Sequence, residues 1–139
     1  MNTYPTCCLV SACLTGLPTR YDGKSKPDPL CQQHLQKHIW IPVCPEQLGG
    51  LTTPRLPANL TGGDGHDVLQ GKARVIRSDG EDVTTAFIQG ANMVLNIAQQ
   101  QNIQYCLLKS KSPSCGAGAV LGVTAALLRR HGISVIEYG

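Results

Sequence analysis

Four short segments of the chain are apolar on consecutive residues rather than on alternate ones, and they constrain the fold more than any other feature. They cover residues 8–12, 39–43, 105–109 and 133–137. Unbroken apolar runs of this length predict strands of a parallel sheet, because both faces of such a sheet are covered by other elements. We therefore expect one sheet with core residues on both of its sides.

Helical segments are predicted between these strands, at residues 29–37, 82–101 and 123–130. Asp28 precedes the first and Asp82 opens the second, and aspartate is a favoured residue at helix N-termini. Strands that alternate with helices favour right-handed crossover connections. We expect an α/β fold with a mostly parallel four-stranded sheet and flanking helices, in Rossmann-like or flavodoxin-like layering. Residues 1–139 are expected to form a single domain.

The segment between residues 45 and 81 interrupts this alternation. It is rich in glycine, proline and aspartate, so it is predicted to be a long ordered loop with at most one short strand at residues 73–77. A loop of that length inside a compact domain is usually functional.

The composition of the chain excludes several classes of protein. Hydrophobic residues make up 42% and charged residues 15% of the chain, as in a globular protein rather than a disordered one. No apolar run approaches the roughly 18 residues of a membrane span, and the first residues lack the basic region of a signal peptide. A net charge of +3 and 4% aromatic residues do not suit a nucleic-acid surface. We predict a cytoplasmic protein with no membrane or nucleic-acid partner.

Three of the seven cysteines follow predicted strands. Cys13 comes after the first strand, Cys44 after the second, and Cys115 lies in the loop after the third. Because parallel strands point the same way, these thiols are predicted to meet at the carboxyl edge of the sheet, where open α/β folds bind ligands. The other four cysteines are within strands, near a helix or near the first strand, and a reducing cytoplasm does not favour disulfides between any of them.

Several kinds of site are compatible with three converging thiols. Zinc sites and redox dithiols usually contain a Cys-x-x-Cys pair, which this chain lacks. A nucleophilic thiol, and a chance meeting of ordinary core cysteines, remain open alternatives. Three thiolates without an obvious fourth partner suit a cubane iron–sulfur cluster with one open iron, and an open metal position usually serves catalysis.

Polar residues near these cysteines are candidates for proton transfer. Glu46 lies two residues beyond Cys44, where it is either a general base or a solvated loop charge. Ser112 and Ser114 precede Cys115 and are candidate hydrogen-bond donors or proton relays. Two lysine pairs, at positions 24 and 26 and at positions 109 and 111, suit a small anionic or polar ligand, or simply solvent.

A second interpretation concerns the glycine-rich loop at residues 116–122. This loop follows a predicted strand and precedes a predicted helix, and Glu137 ends the next strand, as in dinucleotide-binding folds. The spacing of its glycines is looser than in that motif. The alternative function is a non-catalytic metal- or nucleotide-binding module that uses this loop.

Eight ordered blocks of the sequence resemble the bacterial thiouracil desulfidase family, a group of iron–sulfur enzymes long treated as a domain of unknown function. The resemblance runs from Val10 to the end of the chain. The blocks are SACL at 11–14, RYDGKSK at 20–26, VCPEQLGG at 43–50, TPR at 53–55, GGDG at 62–65, GKAR at 71–74, SPSCG at 112–116 and GVTAALL at 122–128.

The resemblance implies a cofactor and a reaction. The cofactor would be a [4Fe-4S] cluster held by Cys13, Cys44 and Cys115, with its fourth iron open to substrate. The reaction would be a non-redox cleavage of a carbon–sulfur bond, of the hydrolase or lyase type, which converts thiouracil to uracil and hydrogen sulfide. The implied partners are a thiolated nucleobase and the iron–sulfur assembly machinery.

The resemblance also implies roles for residues in the matching blocks. Glu46 would activate a water molecule, and Ser112, or Ser114 in its place, would assist proton transfer or orient the ring. The candidate substrate-binding residues are Arg20, Asp22, Lys24, Ser25, Arg55 and Ser114.

Overall fold

The computed structural model describes residues 6–139, and its elements follow in the order of the chain. The strands are β1 Cys7–Ser11, β2 Ile39–Val43, β3 Ala58–Thr61, β4 Arg74–Arg77, β5 Tyr105–Lys109 and β6 Ser134–Tyr138. The α-helices are α1 Pro29–Leu35, α2 Pro45–Leu48, α3 Gly65–Leu69, α4 Thr84–Gln100 and α5 Val123–Arg130. A short 3-10 helix, Ala12–Thr15, directly follows β1.

A four-stranded parallel sheet forms the centre of the fold, in the order β2-β1-β5-β6. This confirms the predicted α/β class and the predicted parallel sheet. The observed strands differ from the predicted ones by no more than one residue at either end. β3 and β4 form a separate antiparallel pair.

The unbroken apolar runs are explained by two cores, one on each face of the sheet. Leu9 and Leu108 belong to the larger core, which also contains side chains of α4 and α5 such as Phe87. Val10 and Leu107 belong to a smaller core on the other face, together with residues of α1. Successive residues of β1 and β5 are therefore buried in opposite directions, because side chains alternate across a strand.

β2 departs from the expectation that both faces are covered. It is an edge strand of the sheet, and the side chains of Ile39 and Trp40 are 54% and 40% exposed. Its apolar sequence resembles that of a central strand, but no further strand pairs with its outer edge among residues 6–139.

The helix N-termini follow the sequence signals in one case and not in the other. Asp28 caps α1 as predicted, since its Oδ1 accepts a hydrogen bond from the Cys31 N–H at 2.9 Å. α4 begins two residues later than predicted, because its first residue is Thr84 rather than Asp82. Asp82 still accepts the Thr84 N–H at 2.9 Å, so its carboxylate satisfies a free amide of the first turn.

The prediction that residues 45–81 form a long loop is wrong. This segment contains α2, β3, α3 and β4, and the short strand predicted at residues 73–77 is β4. A few apolar side chains anchor the segment to the larger core, among them Leu60, Val68 and Val75. No helix among the described residues has the length and apolar character that crossing a membrane requires.

Candidate functional site

Cys13, Cys44 and Cys115 follow three adjacent strands of the sheet. Cys13 lies in the 3-10 helix after β1, Cys44 lies between β2 and α2, and Cys115 lies in the loop after β5. Since these strands are neighbouring and parallel, the three cysteines lie at the same carboxyl edge. Cys13 and Cys115 are 8% and 4% exposed, and Cys44 is half-buried.

The three thiols also influence one another electrostatically. Burial, together with the neighbouring thiols of Cys44 and Cys13, raises the pKa of Cys115 to about 12. Burial raises the pKa of Cys13 as well, where Lys109 opposes the increase and Cys44 adds to it. Cys13 and Cys115 are therefore neutral thiols in the free protein, and a bound metal centre would be needed to hold them as thiolates.

This donor set fits a cluster better than a single ion. No group of three or more His, Cys, Asp or Glu side chains within residues 6–139 is arranged to hold one metal ion. A zinc ion requires all of its ligands within about 2.0–2.3 Å of one point, whereas the cysteines around a cubane cluster bind different irons. The three thiols at this edge are of the ligand type that a cubane cluster takes.

None of the other four cysteines directly follows the carboxyl end of a strand. Cys8 and Cys106 are fully buried inside β1 and β5, Cys31 is fully buried in α1, and Cys7 is half-buried at the start of β1. Burial raises the pKa of Cys106 to about 12 and that of Cys31 to about 11. Cys31 and Cys106 are therefore neutral thiols, and with Cys8 they pack as small apolar side chains.

Glu46 is placed by the way α2 begins. Pro45 occupies the first position of the helix, where its missing N–H is not needed, so α2 starts immediately after Cys44. The backbone of α2 lies directly on that of α4 where Gly49 approaches Ala86. The Glu46 side chain is consequently 15% exposed and hydrogen-bonds to the loop that carries Cys115.

Both oxygens of the Glu46 carboxylate accept hydrogen bonds. Oε1 accepts from Nε of Arg55 at 2.9 Å, and Oε2 accepts from Oγ of Ser114 at 3.0 Å. Oγ of Ser112 accepts the N–H groups of Ser114 and Cys115 at 3.2 and 3.1 Å, and it lies 3.0 Å from Oγ of Ser114. Because both lone pairs of Ser112 are occupied, its proton is donated to Ser114. The direction of donation is therefore Ser112 to Ser114 to Glu46.

A cavity of about 290 Å³ opens beside this chain of hydrogen bonds. Glu46 and Ser112 line it, whereas Ser114 is 2% exposed and is not among the lining residues. Arg20 and Lys111 bring positive charge to its wall. The volume is at the lower end of the range for small-molecule sites, so the cavity suits a ligand of a few rings at most.

The loop after the 3-10 helix contributes to this cavity only in part. Arg20 and Tyr21 line it, but Asp22, Lys24 and Ser25 do not. Asp22 instead accepts the N–H of Lys24 at 3.0 Å and makes a 3.8 Å ion pair with Arg20. Its carboxylate therefore stabilises the turn in which these residues lie. Arg55 also lines the cavity, although its side chain is only 6% exposed.

Three further residues contribute to the site, and of these only Lys109 was noted in the sequence, as part of a lysine pair. Lys109 lines the cavity, and burial lowers its pKa, an effect that Cys13 opposes. Asn59 lines the cavity from β3, a strand that the sequence did not predict. Ser11 is 2% exposed and accepts the N–H of Lys109 at 2.9 Å, and its hydroxyl also lowers the pKa of Cys115. The position of Ser11 at the end of the first strand was the available signal.

The amides at the start of α5, where a phosphate would bind, are already hydrogen-bonded within the protein. The Ala117 N–H donates to Oε2 of Glu137 at 2.7 Å, and the Gly122 N–H donates to the Gly116 carbonyl at 2.8 Å. The first amides of α5, from Val123 to Ala125, donate to the carbonyls of residues 113 and 114. These bonds occupy the donors that a nucleotide would use, so the structure does not favour the alternative function.

Comparisons with known proteins point to one family. The model of the 2-thiouracil desulfurase family matches residues 8–138. A solved structure described as a [4Fe-4S]-dependent thiouracil desulfidase, TudS, is 39% identical in sequence, with a TM-score of 0.82. The match covers 95% of this chain and 90% of that one. The uncharacterized protein YbbK of Bacillus subtilis (strain 168) is 40% identical over 141 residues, which cover 93% of each chain.

Proposed function

This chain belongs to the 2-thiouracil desulfurase family and is an enzyme that removes sulfur from thiouracil, and we propose that Cys13, Cys44 and Cys115 hold the [4Fe-4S] cluster on which it does so. The observation that carries the proposal is the meeting of these three thiols at one buried edge, beside the hydrogen-bonded carboxylate of Glu46. The chemistry of the donor set supports it, since cubane clusters require thiolate ligands.

With three cysteines, the fourth iron is proposed to be open to substrate. When bound, the cluster would supply a Lewis acid for the thiocarbonyl sulfur, without any net change of oxidation state. The protein's part is to hold the pyrimidine in the cavity beside Glu46 and Ser112 and to provide a water molecule with a proton acceptor.

The overall reaction balances with water as the only co-reactant. The water oxygen forms a bond to the ring carbon, the carbon–sulfur bond breaks, and the products are uracil and hydrogen sulfide. Glu46 is proposed to take the proton from water, because it lines the cavity and its carboxylate is fixed on both oxygens. Ser112 and Ser114 are proposed to redistribute that proton, since their hydroxyls connect the cavity wall to Glu46.

Substrate binding is proposed to involve the loop of residues 20–25 and the opposite wall of the cavity. Arg20 contacts the cavity itself, whereas Asp22, Lys24 and Ser25 would act by fixing the conformation of that loop. Lys26 supports this, since its N–H donates to the Cys13 carbonyl at 2.9 Å and ties the loop to the cysteine.

The cellular partners follow from the cofactor. A [4Fe-4S] cluster brings four irons and four sulfides to one site, so we propose that iron–sulfur assembly machinery supplies it in the cytoplasm. The small-molecule partner is a thiolated nucleobase.

An anaerobic assay tests the proposed function. The purified chain is loaded with iron and sulfide, its iron content is measured, and 2-thiouracil is added. We expect about one [4Fe-4S] cluster per protein chain. We also expect one sulfide to be released for each uracil formed, without an added oxidant or reductant. Uracil formation that requires an electron donor, or a loaded protein that releases no sulfide, would contradict the proposal.

A further inference from the structure

Arg55 uses every N–H of its guanidinium on the protein itself. Nε donates to Oε1 of Glu46 at 2.9 Å. Nη1 donates to the Thr52 carbonyl at 3.2 Å and to Oγ1 of Thr53 at 2.8 Å. Nη2 donates to the Thr19 carbonyl at 3.0 Å and to Sγ of Cys44 at 3.9 Å. A guanidinium has five N–H donors, and these contacts account for all five.

The contacts of Arg55 join three separate parts of the site. Thr19 belongs to the loop after the 3-10 helix, Cys44 and Glu46 flank the start of α2, and Thr52 and Thr53 belong to the turn beyond α2. The side chain is 6% exposed, so water competes little with these bonds. The planar fork of an arginine fixes the direction of each bond, which the single charge of a lysine would not do.

Two of these acceptors are the groups on which the reaction depends. The Arg55 guanidinium holds the carboxylate of Glu46 through one nitrogen and the sulfur of Cys44 through another, and so sets the position of one relative to the other. In the free protein the Cys44 thiol also lies 3.7 Å from the Thr19 carbonyl, to which it donates. A Cys44 thiolate would have no proton to donate to the Thr19 carbonyl. It would instead accept a hydrogen bond, and the N–H of Arg55 would be the donor to it within this network.

We propose that Arg55 is a positioning residue that fixes the Glu46 carboxylate and the Cys44 sulfur in one arrangement, and that it does not bind the substrate. This inference rests on the proposed function of Glu46 and Cys44. It differs from the substrate-binding role that the family resemblance suggested, because a guanidinium with five occupied donors has none to offer a ligand.

Arg55→Lys provides the first test, measured on the loaded enzyme. Contacts that orient metal ligands are typically worth about 10–100-fold in metal affinity or activity. We expect kcat to fall by about that factor while KM stays within about twofold, and iron to be lost to a chelator faster than from the wild type. An increase of KM at unchanged kcat and unchanged iron loss would overturn the proposal in favour of substrate binding.

A double variant tests whether Arg55 acts through Glu46. If it does, the loss of turnover in Glu46→Gln combined with Arg55→Lys should be smaller than the product of the two single losses, because coupled residues are not additive. Losses that multiply would show that Arg55 acts independently of Glu46 and would overturn that part of the proposal.

Two controls keep the result interpretable. The wild type measured in parallel tests the proposed function itself: if it holds iron but releases no sulfide, that function fails while the iron-loss comparison still tests Arg55. If Arg55→Lys does not fold, Thr53→Val removes one acceptor of the guanidinium and leaves Arg55, Glu46 and Cys44 intact. Faster iron loss and lower kcat in Thr53→Val would support the positioning role, and wild-type values of both would overturn it.

Discussion

Gly90 in the middle of α4 lies directly against the backbone of Pro45, so closely that a β-carbon at position 90 would collide with the Pro45 carbonyl oxygen. Pro45 joins Cys44 to Glu46, the two residues that the proposed reaction brings together. The contact between two backbones therefore sets how deep α2, with its carboxylate, lies in the site.

Gly90→Ala should consequently destabilise the protein. In most helix interiors this change is favourable by roughly 0.5–1 kcal/mol, but overpacking typically costs about 1–3 kcal/mol. We expect the free energy of unfolding to fall by about 1–2 kcal/mol in urea titrations, with less iron bound per folded chain. Gln89→Ala is the matched control on the exposed side of α4. Equal stability of the two variants would show that α2 moves aside at little cost.

Replacing the proposed ligands should remove the cluster. Cys13→Ser, Cys44→Ser and Cys115→Ser should each lose bound iron and sulfide, because serine is a poor substitute for a thiolate. Cys7→Ser, Cys31→Ser and Cys106→Ser should keep the cluster, since none of these residues follows the carboxyl end of a strand. Iron, acid-labile sulfide and visible absorption of the loaded variants give the answer, and loss of iron from a control variant would redefine the ligand set.

Glu46→Gln should separate catalysis from cluster binding. The amide keeps an oxygen for Arg55, and its nitrogen can donate to Ser114, whose hydroxyl is free to rotate. Iron content should therefore be unchanged, while turnover falls by about 10²–10⁴-fold through loss of the proton acceptor. Glu81→Gln, on the surface away from the cavity, serves as control. Wild-type turnover by a fully loaded Glu46→Gln enzyme would eliminate this role.

The two serines should differ in what they affect. Ser114→Ala removes one donor to Glu46 and a 3.8 Å contact with Sγ of Cys115, so it should lower kcat by roughly 10–100-fold and speed the loss of iron to a chelator. Ser112→Ala removes the acceptor of two N–H groups, one of which belongs to Cys115, and should also lower stability by about 1–3 kcal/mol. Stopped-flow or steady-state rates combined with denaturant unfolding distinguish the variants. Identical losses of stability would contradict this division.

The stability of the fold should respond to acid through Asp82. Hydrogen bonds from Thr84 and from the Arg74 guanidinium lower the pKa of this carboxyl from 3.8 to about 2. A carboxyl whose pKa is lower in the folded than in the unfolded protein contributes its full stabilisation of the fold at pH values above the unfolded pKa. That contribution is lost as the pH falls through the folded pKa of about 2. The difference in Tm between the wild type and Asp82→Asn should therefore be largest above about pH 4 and shrink as the pH falls towards 2. A constant difference over that range would contradict the assignment.

The strands of the sheet could be predicted because each is a continuous apolar run between turn signals. β3 could not, since Ala58–Thr61 is only four residues long and follows Pro57 in a polar segment. Its register with β4 depends on Leu60 and Val75 reaching a core built mainly by elements distant in sequence. Composition alone therefore indicated a loop.

At the site, the meeting of the cysteines followed from strand direction alone, because the carboxyl ends of parallel strands share an edge. The pairing of Arg55 with Glu46 did not follow from any sequence pattern. The two residues are joined by a turn without a fixed helical or strand period, so their spacing in sequence carries no information about distance. Such contacts become visible only when the path of the turn is known.

The order of the sheet differs from the order of synthesis, and this has a consequence for how the enzyme matures. β5 takes its place beside β1, although β3, β4 and α4 are made between them. A nascent chain that has left the ribosome only as far as α4 presents Cys13 and Cys44 but lacks the strand and loop that bring Cys115. On the proposed ligand set, the cluster has no complete binding site during most of translation. On that ligand set, cluster insertion would follow the synthesis of β5 and its loop, and the cell would have to keep the thiols reduced until then.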